Sequence, residues 1–221
     1  GSWAVVNLVG ILYEKGRQRF SSLHSQCPER IAKMAKEAGV VRLVHLSALG
    51  ASKAKGSRYA KSKATGETAV LSAFAEATIL SPSVIFGPGD NFINQFSRMA
   101  DYSPFLPLIG GGKTKFQPVY VGDVAEAVLN CLENPATAGK RYDLAGPKIY
   151  SFNKILEKIL ALTGRKRLLV PLPWILAKLI GFFGEWLPKP PLTRDQVQLL
   201  RTDNTVSKNG LTELGITPKP M

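Results

Sequence analysis

The chain has 221 residues, is 45% hydrophobic and 20% charged, and carries 29 Lys and Arg against 16 Asp and Glu, a formal charge of +13. That length buries a core of one to two domains, while the lack of an uncharged apolar run of about 18 residues and of a basic-then-apolar start argues against a membrane span or secretory signal. The positive excess suits an anionic dinucleotide, an acidic protein face or anionic lipid; with no recognition-helix, zinc or aromatic-basic ribonucleoprotein pattern, nucleic acid is not an expected partner.

In chain order, Ala4 to Gly10 predicts a strand, and Glu29 to Ala38 a helix with Ile31, Met34, Ala35 and Ala38 on one face and Gly39 as its stop. Val40 to Ser47 is a β-branched run that predicts a buried parallel strand. A helix from Arg58 to Phe74 follows, then a strand from Ala77, a Gly87-Pro88-Gly89-Asp90 turn and a short helix over Phe92 to Asp101. Gly110-Gly111-Gly112 precedes Lys113-Thr114, but a phosphate loop would need glycine where Pro107 stands and a helix afterwards. Gln117 to Val121 reads instead as extended.

Asp123 is expected to cap a helix over Val124 to Glu133 that closes before Pro135. Tyr142 to Ala145 predicts a strand, Ser151 the cap of a helix reaching Leu162 and stopping at Gly164, and Leu168 to Pro171 an extended segment. Pro173 to Leu187 is apolar and aromatic with only Lys178 and Glu185 charged. It is too short to span a bilayer and suits a packed helix or one at a membrane surface. Cys27 and Cys131 match no metal or redox spacing, which leaves no metal site, and His24 and His45 stand apart in sequence, with His45 inside a strand as a structural histidine.

Tyr59 and Lys63 stand four apart in a helical stretch, so phenol and ammonium share one face a turn apart. A lysine so placed favours the phenolate and lowers a tyrosine pKa from about 10 toward neutrality, as proton transfer requires. Ser47 ends the preceding strand. Strand-end serine, Tyr-x-x-x-Lys helix, and then Ala77 to Leu80 followed by Pro82 to Gly89 resemble the catalytic half of short-chain dehydrogenases/reductases.

Taken with Ala4 to Gly10, Ser47 to Glu67, Phe116 to Val124 and Leu192 to Val197, the chain from Ala4 to about Pro218 resembles the Rossmann-type accessory subunit of respiratory complex I and its bacterial relatives, atypical short-chain dehydrogenases of the NAD-dependent epimerase/dehydratase kind. The resemblance implies an NADP(H)- or NAD(H)-binding protein that partners complex I subunits. It implies a place peripheral to the inner membrane on the cytoplasmic side in bacteria, or on the mitochondrial matrix side. It also implies Tyr59 as proton donor, Lys63 as its partner on the nicotinamide ribose and Ser47 as the group that orients a carbonyl. Asn7 and Gly10 would pass the cofactor, and Pro82, Ser83 and Val84 the nicotinamide. The other reading is an active NAD(P)-dependent oxidoreductase or epimerase that uses Ser47, Tyr59 and Lys63 on a carbonyl or sugar-nucleotide substrate.

Such folds hold the pyrophosphate on a Gly-rich turn after the first strand, and no such turn is present. The expected fold class is α/β, an incomplete doubly wound parallel Rossmann sheet with a smaller C-terminal α/β domain of the substrate-binding type. Residues 1–90 would form the C-terminal part of the Rossmann domain, with a return strand near 117–134. Residues 91–221 would be mainly the smaller domain, bearing the apolar helix 173–187. The chain reads as a fragment with one sheet edge open, and as binding NADPH weakly or not at all by itself.

Overall fold

The computed structural model describes residues 1–53, 56–187, 190 and 192–221. Lys55, in the basic stretch from Lys53 to Lys63, lies outside the described residues. Strand β1 (Ala4–Asn7) leads through a long connection and a π-helical turn, Ser21–Gln26, directly into α1 (Cys27–Glu37). Then come β2 (Arg42–Leu46), α2 (Arg58–Ala73), β3 (Thr78–Pro82), β4 (Ile85–Phe86), α3 (Phe92–Tyr102), β5 (Phe105–Ile109), β6 (Lys115–Phe116), β7 (Val119–Tyr120) and α4 (Val121–Glu133). The chain finishes with β8 (Arg141–Leu144), β9 (Tyr150–Ser151), α5 (Phe152–Leu162), β10 (Leu168–Leu172), α6 (Trp174–Gly184), α7 (Arg194–Leu199) and α8 (Gly210–Glu213).

The main sheet runs β1-β2-β3-β8, all parallel. Successive residues of its central strands serve opposite faces, because side chains alternate along a strand. Leu43 and Ile79 join Ala32, Ala35, Val70 and Phe74 under α1 and α2. Val44 and Leu80 join Val124, Ala127, Cys131 and Leu211 under α4 and α8. Helices on both faces of a parallel sheet are the α/β, Rossmann-like architecture read from the sequence. β1 lies at the edge of this sheet.

A separate core gathers Phe96, Leu106, Phe116, Phe152, Ile155, Leu156, Ile159, Ala177 and Val197 from α3, β5, β6, α5, α6 and α7. Three small strand pairs serve the later part of the chain: β5 with β10 parallel, β4 with β7 parallel and β6 with β9 antiparallel. Strand β5 had no sequence signal, since Phe105-Leu106-Pro107-Leu108-Ile109 lacks alternation and contains a proline.

Two expectations are corrected. The face assigned to the first helix is right only in part: Ala35 is buried as read, but Met34 is 64% exposed and Ala38 is exposed, and α1 buries Pro28 and Ala32 beside Ala35. Small alanines let α1 lie close on α2, and a methionine there would hold the helices apart. Asp123 does not cap α4, which starts at Val121 with Tyr120 as its first flanking residue. The carboxylate lies buried in the first helical turn and accepts the backbone N–H of Lys219 at 2.7 Å, fastening the chain's end to the helix. The cap at Ser151 holds as read, its hydroxyl accepting the Lys154 N–H at 3.2 Å. Gly110-Gly111-Gly112 turns at positive φ from β5 toward β6, with no helix after it.

Candidate functional site

Helix α2 presents Tyr59, Lys63 and Glu67 at intervals of one turn toward the C-terminal end of β2. Lys63 is 4% exposed, and its Nζ donates to the Leu46 carbonyl at 2.7 Å. Burial drives its pKa down to about 8, against the neighbouring Glu67 carboxylate, which raises it. Glu67 accepts the Ser47 hydroxyl on one oxygen and pairs with Arg141 through the other. Ser47 is fixed from the sheet as well, its N–H donating to Leu80 O at 2.7 Å. Lys63, Glu67 and Ser47 are therefore buried together, Ser47 bonded to Glu67 and Lys63 coupled to that carboxylate through its charge.

Tyr59 departs from the expectation. Its ring stands edge-on to His24, with centroids 5.3 Å apart, and to Phe20 at 5.9 Å. Burial, followed by the charge of Asp195, pushes its pKa up to about 12 rather than down. The lysine charge that was to favour the phenolate is directed to the Leu46 carbonyl, and a desolvated phenol holds its proton. His24 is fixed in one tautomer: Nε2 accepts the Ile11 N–H at 2.9 Å, so the proton sits on Nδ1 and is donated to Ser62 Oγ at 2.8 Å. Burial and the Lys63 charge hold its pKa down at about 4.

Asn7 is buried, and its amide donates to His45 Nδ1 at 3.1 Å while its Oδ1 accepts the Val9 N–H. His45 is fully buried, is held to a pKa of about 3 by desolvation and by Lys63, and has no partner for Nε2 among the described residues. The two histidines, far apart in sequence, thus flank one lysine. Gly10 is exposed with its nearest neighbour, His24 Nε2, 3.8 Å from where a Cβ would stand. Pro82 O accepts from Leu49 N at 2.9 Å, and Val84 O from Val119 N at 2.9 Å. Ser83 Oγ donates to Asn204 Oδ1 at 2.6 Å, and Asn204 Nδ2 donates to Leu49 O at 3.0 Å. The Ser47 side and the Pro82 to Val84 side are thereby joined through Asn204.

Sequence reasoning missed Glu67, His24, Asp195 and Asn204. Only Glu67 carried a local signal, because it repeats the four-residue step from Tyr59 through Lys63. An open cleft of about 630 Å³ lies outside this network, lined by Glu14, Arg19, Phe20, Arg58, Trp186 and Arg194 among others. Ser47, Tyr59 and Lys63 do not line it.

Buried donors and acceptors at the C-terminal ends of parallel strands fit the nicotinamide end of a dinucleotide. His45 Nε2, left without a partner among the described residues, is the kind of group such a ligand or water satisfies. Between β1 and α1, Gly10 has ordinary backbone and Gly16 alone turns at positive φ.

The fold is the α/β, Rossmann-like one of NAD-dependent epimerases and short-chain dehydrogenases. Residues 6–145 match the NAD dependent epimerase/dehydratase family, and the chain belongs to it. It is similar to the mitochondrial NADH dehydrogenase (ubiquinone) 1 alpha subcomplex subunit 9 of Arabidopsis thaliana, 38% identical over 218 residues, which are 94% of this chain and 54% of the relative. The Mus musculus protein of the same name is 38% identical over 223 residues, covering 98% of this chain and 58% of the relative. The chain thus spans little more than half the length of these relatives. In fold it is similar to the Citrobacter triphenylmethane reductase complexed with NADP(H), with a TM-score of 0.75 and 16% identity, covering 100% of this chain and 74% of that one.

Proposed function

We propose that the chain is part of an NAD(P)(H)-binding accessory or assembly subunit of NADH:ubiquinone oxidoreductase, in which the dinucleotide stabilises a fold and is not turned over. The similarity to alpha subcomplex subunit 9 supports the assignment. The observation that supports the second half is the packing of Tyr59: its ring stands edge-on to Phe20 and His24, and burial raises the phenol's pKa, which weakens it as a proton donor and acceptor near neutral pH. Lys63 and Ser47 are likewise committed, to Leu46 and Glu67. When bound, the cofactor would offer a nicotinamide capable of hydride transfer. In this chain Lys63 would hold the ribose, Asn7 and Gly10 would flank the dinucleotide, and the backbone of Pro82, Ser83 and Val84 would pass the ring. The pyrophosphate would be held by residues other than these, and the chain by itself would bind NADPH weakly. A ligand bound only by the native state adds stability by mass action without chemistry.

Such a subunit would sit peripherally, on the cytoplasmic face of a bacterial inner membrane or the matrix side of a mitochondrial one. No helix among the described residues is long and apolar enough to cross a membrane. The exposed apolar face of α6, with Ile175, Leu179 and Phe183, would serve as its contact with complex I subunits or the adjoining membrane surface. The test is isolation of the full-length protein from native membranes in mild detergent. Co-migration with NADH:ubiquinone oxidoreductase and release of NADPH on heat denaturation are expected; migration as a free protein would sink the assignment.

The geometry also favours a second reading on one point: Lys63, Ser47 and Pro82 to Val84 converge at the strand ends as in an NAD(P)-dependent oxidoreductase or epimerase. Under that reading Tyr59→Phe abolishes turnover on a carbonyl or sugar-nucleotide substrate and leaves cofactor affinity nearly unchanged.

A further inference from the structure

Helix α2 carries Tyr59, Lys63 and Glu67, yet its own sequence does not complete its start. The first backbone N–H groups of any helix need outside acceptors and favour a negative charge nearby. Ser57 accepts the Ala60 N–H at 3.1 Å, and no acidic residue stands in the first turn. The Arg58 N–H donates to Asp195 Oδ1 at 2.6 Å, and the Tyr59 N–H to Asp195 Oδ2 at 3.1 Å. The Ser57 hydroxyl donates to the same Oδ2 at 2.9 Å. One carboxylate from far along the chain thus satisfies the two donors that the helix leaves open and supplies the missing charge.

Asp195 is itself held. Thr193 and Gln196 close a capping box around it at the start of α7. Gly181 of α6 lies so close to this turn that a Cβ there would stand 2.8 Å from Arg194 N. At the far end of the same segment, Asn204 bonds both Ser83 and the Leu49 carbonyl. The stretch from Thr193 to Asn204 therefore touches the site at two points, the start of the Tyr59 helix and the loop that follows Ser47.

We propose that Asp195 and Asn204 are positioning residues, and that the segment between them straps the Tyr59 helix and the Ser47 loop into register, so that order at the dinucleotide site depends on the seating of α6 and α7. A substitution at Asp195 then loosens the start of α2 selectively, and a ligand at the site, by reciprocity, protects α7.

The test compares the full-length protein with Asp195→Asn, which keeps the shape but turns an amide toward backbone donors, and with Ile216→Val, a mild change in the separate core under α4 and α8. Hydrogen exchange is read at residues 57–61, and NADPH affinity by calorimetry. Asp195→Asn is expected to speed exchange there about tenfold and to weaken NADPH about fivefold, with NADPH slowing exchange at 193–198 in the wild type. Ile216→Val should do neither, even at a matched fall in Tm. Unchanged exchange at 57–61 in Asp195→Asn overturns the proposal, as does faster exchange with no loss of affinity. The affinity readout alone rests on the NAD(P)(H)-binding reading: a wild-type protein that holds no NADPH sinks that reading, and the exchange comparison then decides the strap.

Discussion

Lys63 donates its ammonium to the carbonyl oxygen of Leu46 at 2.7 Å, at the last residue of a central strand and with almost no access to water. Its pKa falls from 10.5 to about 8. Below pH 8 both folded and unfolded chains carry this proton and the cost of burying the charge is fully present. Between pH 8 and 10.5 the unfolded chain holds more protons, so this group's contribution to stability rises with pH. Lys63→Met removes the titration. The stability of the wild type relative to Lys63→Met is expected to increase by up to about 3 kcal/mol across that window. Urea denaturation at several pH values measures it, and a difference that stays flat would show the ammonium to be solvated.

The two histidines act at the other end of the pH scale. His24 and His45 titrate at about 4 and about 3 in the folded protein, against an ordinary 6.5. Between those values the unfolded chain binds the extra protons, so stability is lost as pH falls below about 6.5. Acid-induced unfolding is expected to set in well above the range of ordinary carboxylates. His45→Gln, whose amide oxygen can still accept from Asn7, should shift the acid midpoint downward. An unchanged midpoint by circular dichroism would mean that His45 is not buried neutral.

Much of the frame that carries these groups was legible. The β-branched run ending at Ser47 and the four-residue step from Tyr59 to Lys63 are local patterns, and both elements form where the patterns place them. Burial and charge placement were not local. The direction of the Tyr59 shift was misread because spacing shows that a lysine is a turn away, not that its ammonium is taken by Leu46 or that Phe20 and His24 close over the ring. Asp195 and Asn204 were invisible for the same reason: their partners lie 121 to 155 residues away in the chain. Met34 was assigned inward because periodicity counts apolarity, whereas the contact between α1 and α2 selects small size.

Glu67 offers a test of the network as a unit. Its carboxylate takes the Ser47 hydroxyl and the Arg141 guanidinium, and it raises the pKa of Lys63. Glu67→Gln preserves volume and one acceptor but removes the charge. The Lys63 pKa is expected to fall below its value of about 8, read by NMR titration of the lysine side chain. Stability should drop by about 1 to 2 kcal/mol, a range that allows for the partial exposure of Arg141. An unmoved Lys63 titration would break the link between the two groups.

Glycine separates packing from cofactor approach. Gly66 lies in the middle of α2, where alanine would ordinarily stabilise by up to about 1 kcal/mol. Here an added Cβ would stand 1.8 Å from the His24 carbonyl oxygen, because the π-helical turn over Ser21–Gln26 rests directly on the helix. That oxygen is backbone and cannot swing aside, so Gly66→Ala must push the turn off α2 and disturb the ring packing of His24 on Tyr59. A loss of about 3 kcal/mol or more is expected. Gly10→Ala is the contrast: its backbone is ordinary and its nearest neighbour is 3.8 Å from the new Cβ, so a change within about 0.5 kcal/mol is expected. Thermal and urea unfolding of the two variants measure the gap, and a Gly66→Ala protein as stable as Gly10→Ala would show that the π-helical turn does not sit on the Tyr59 helix.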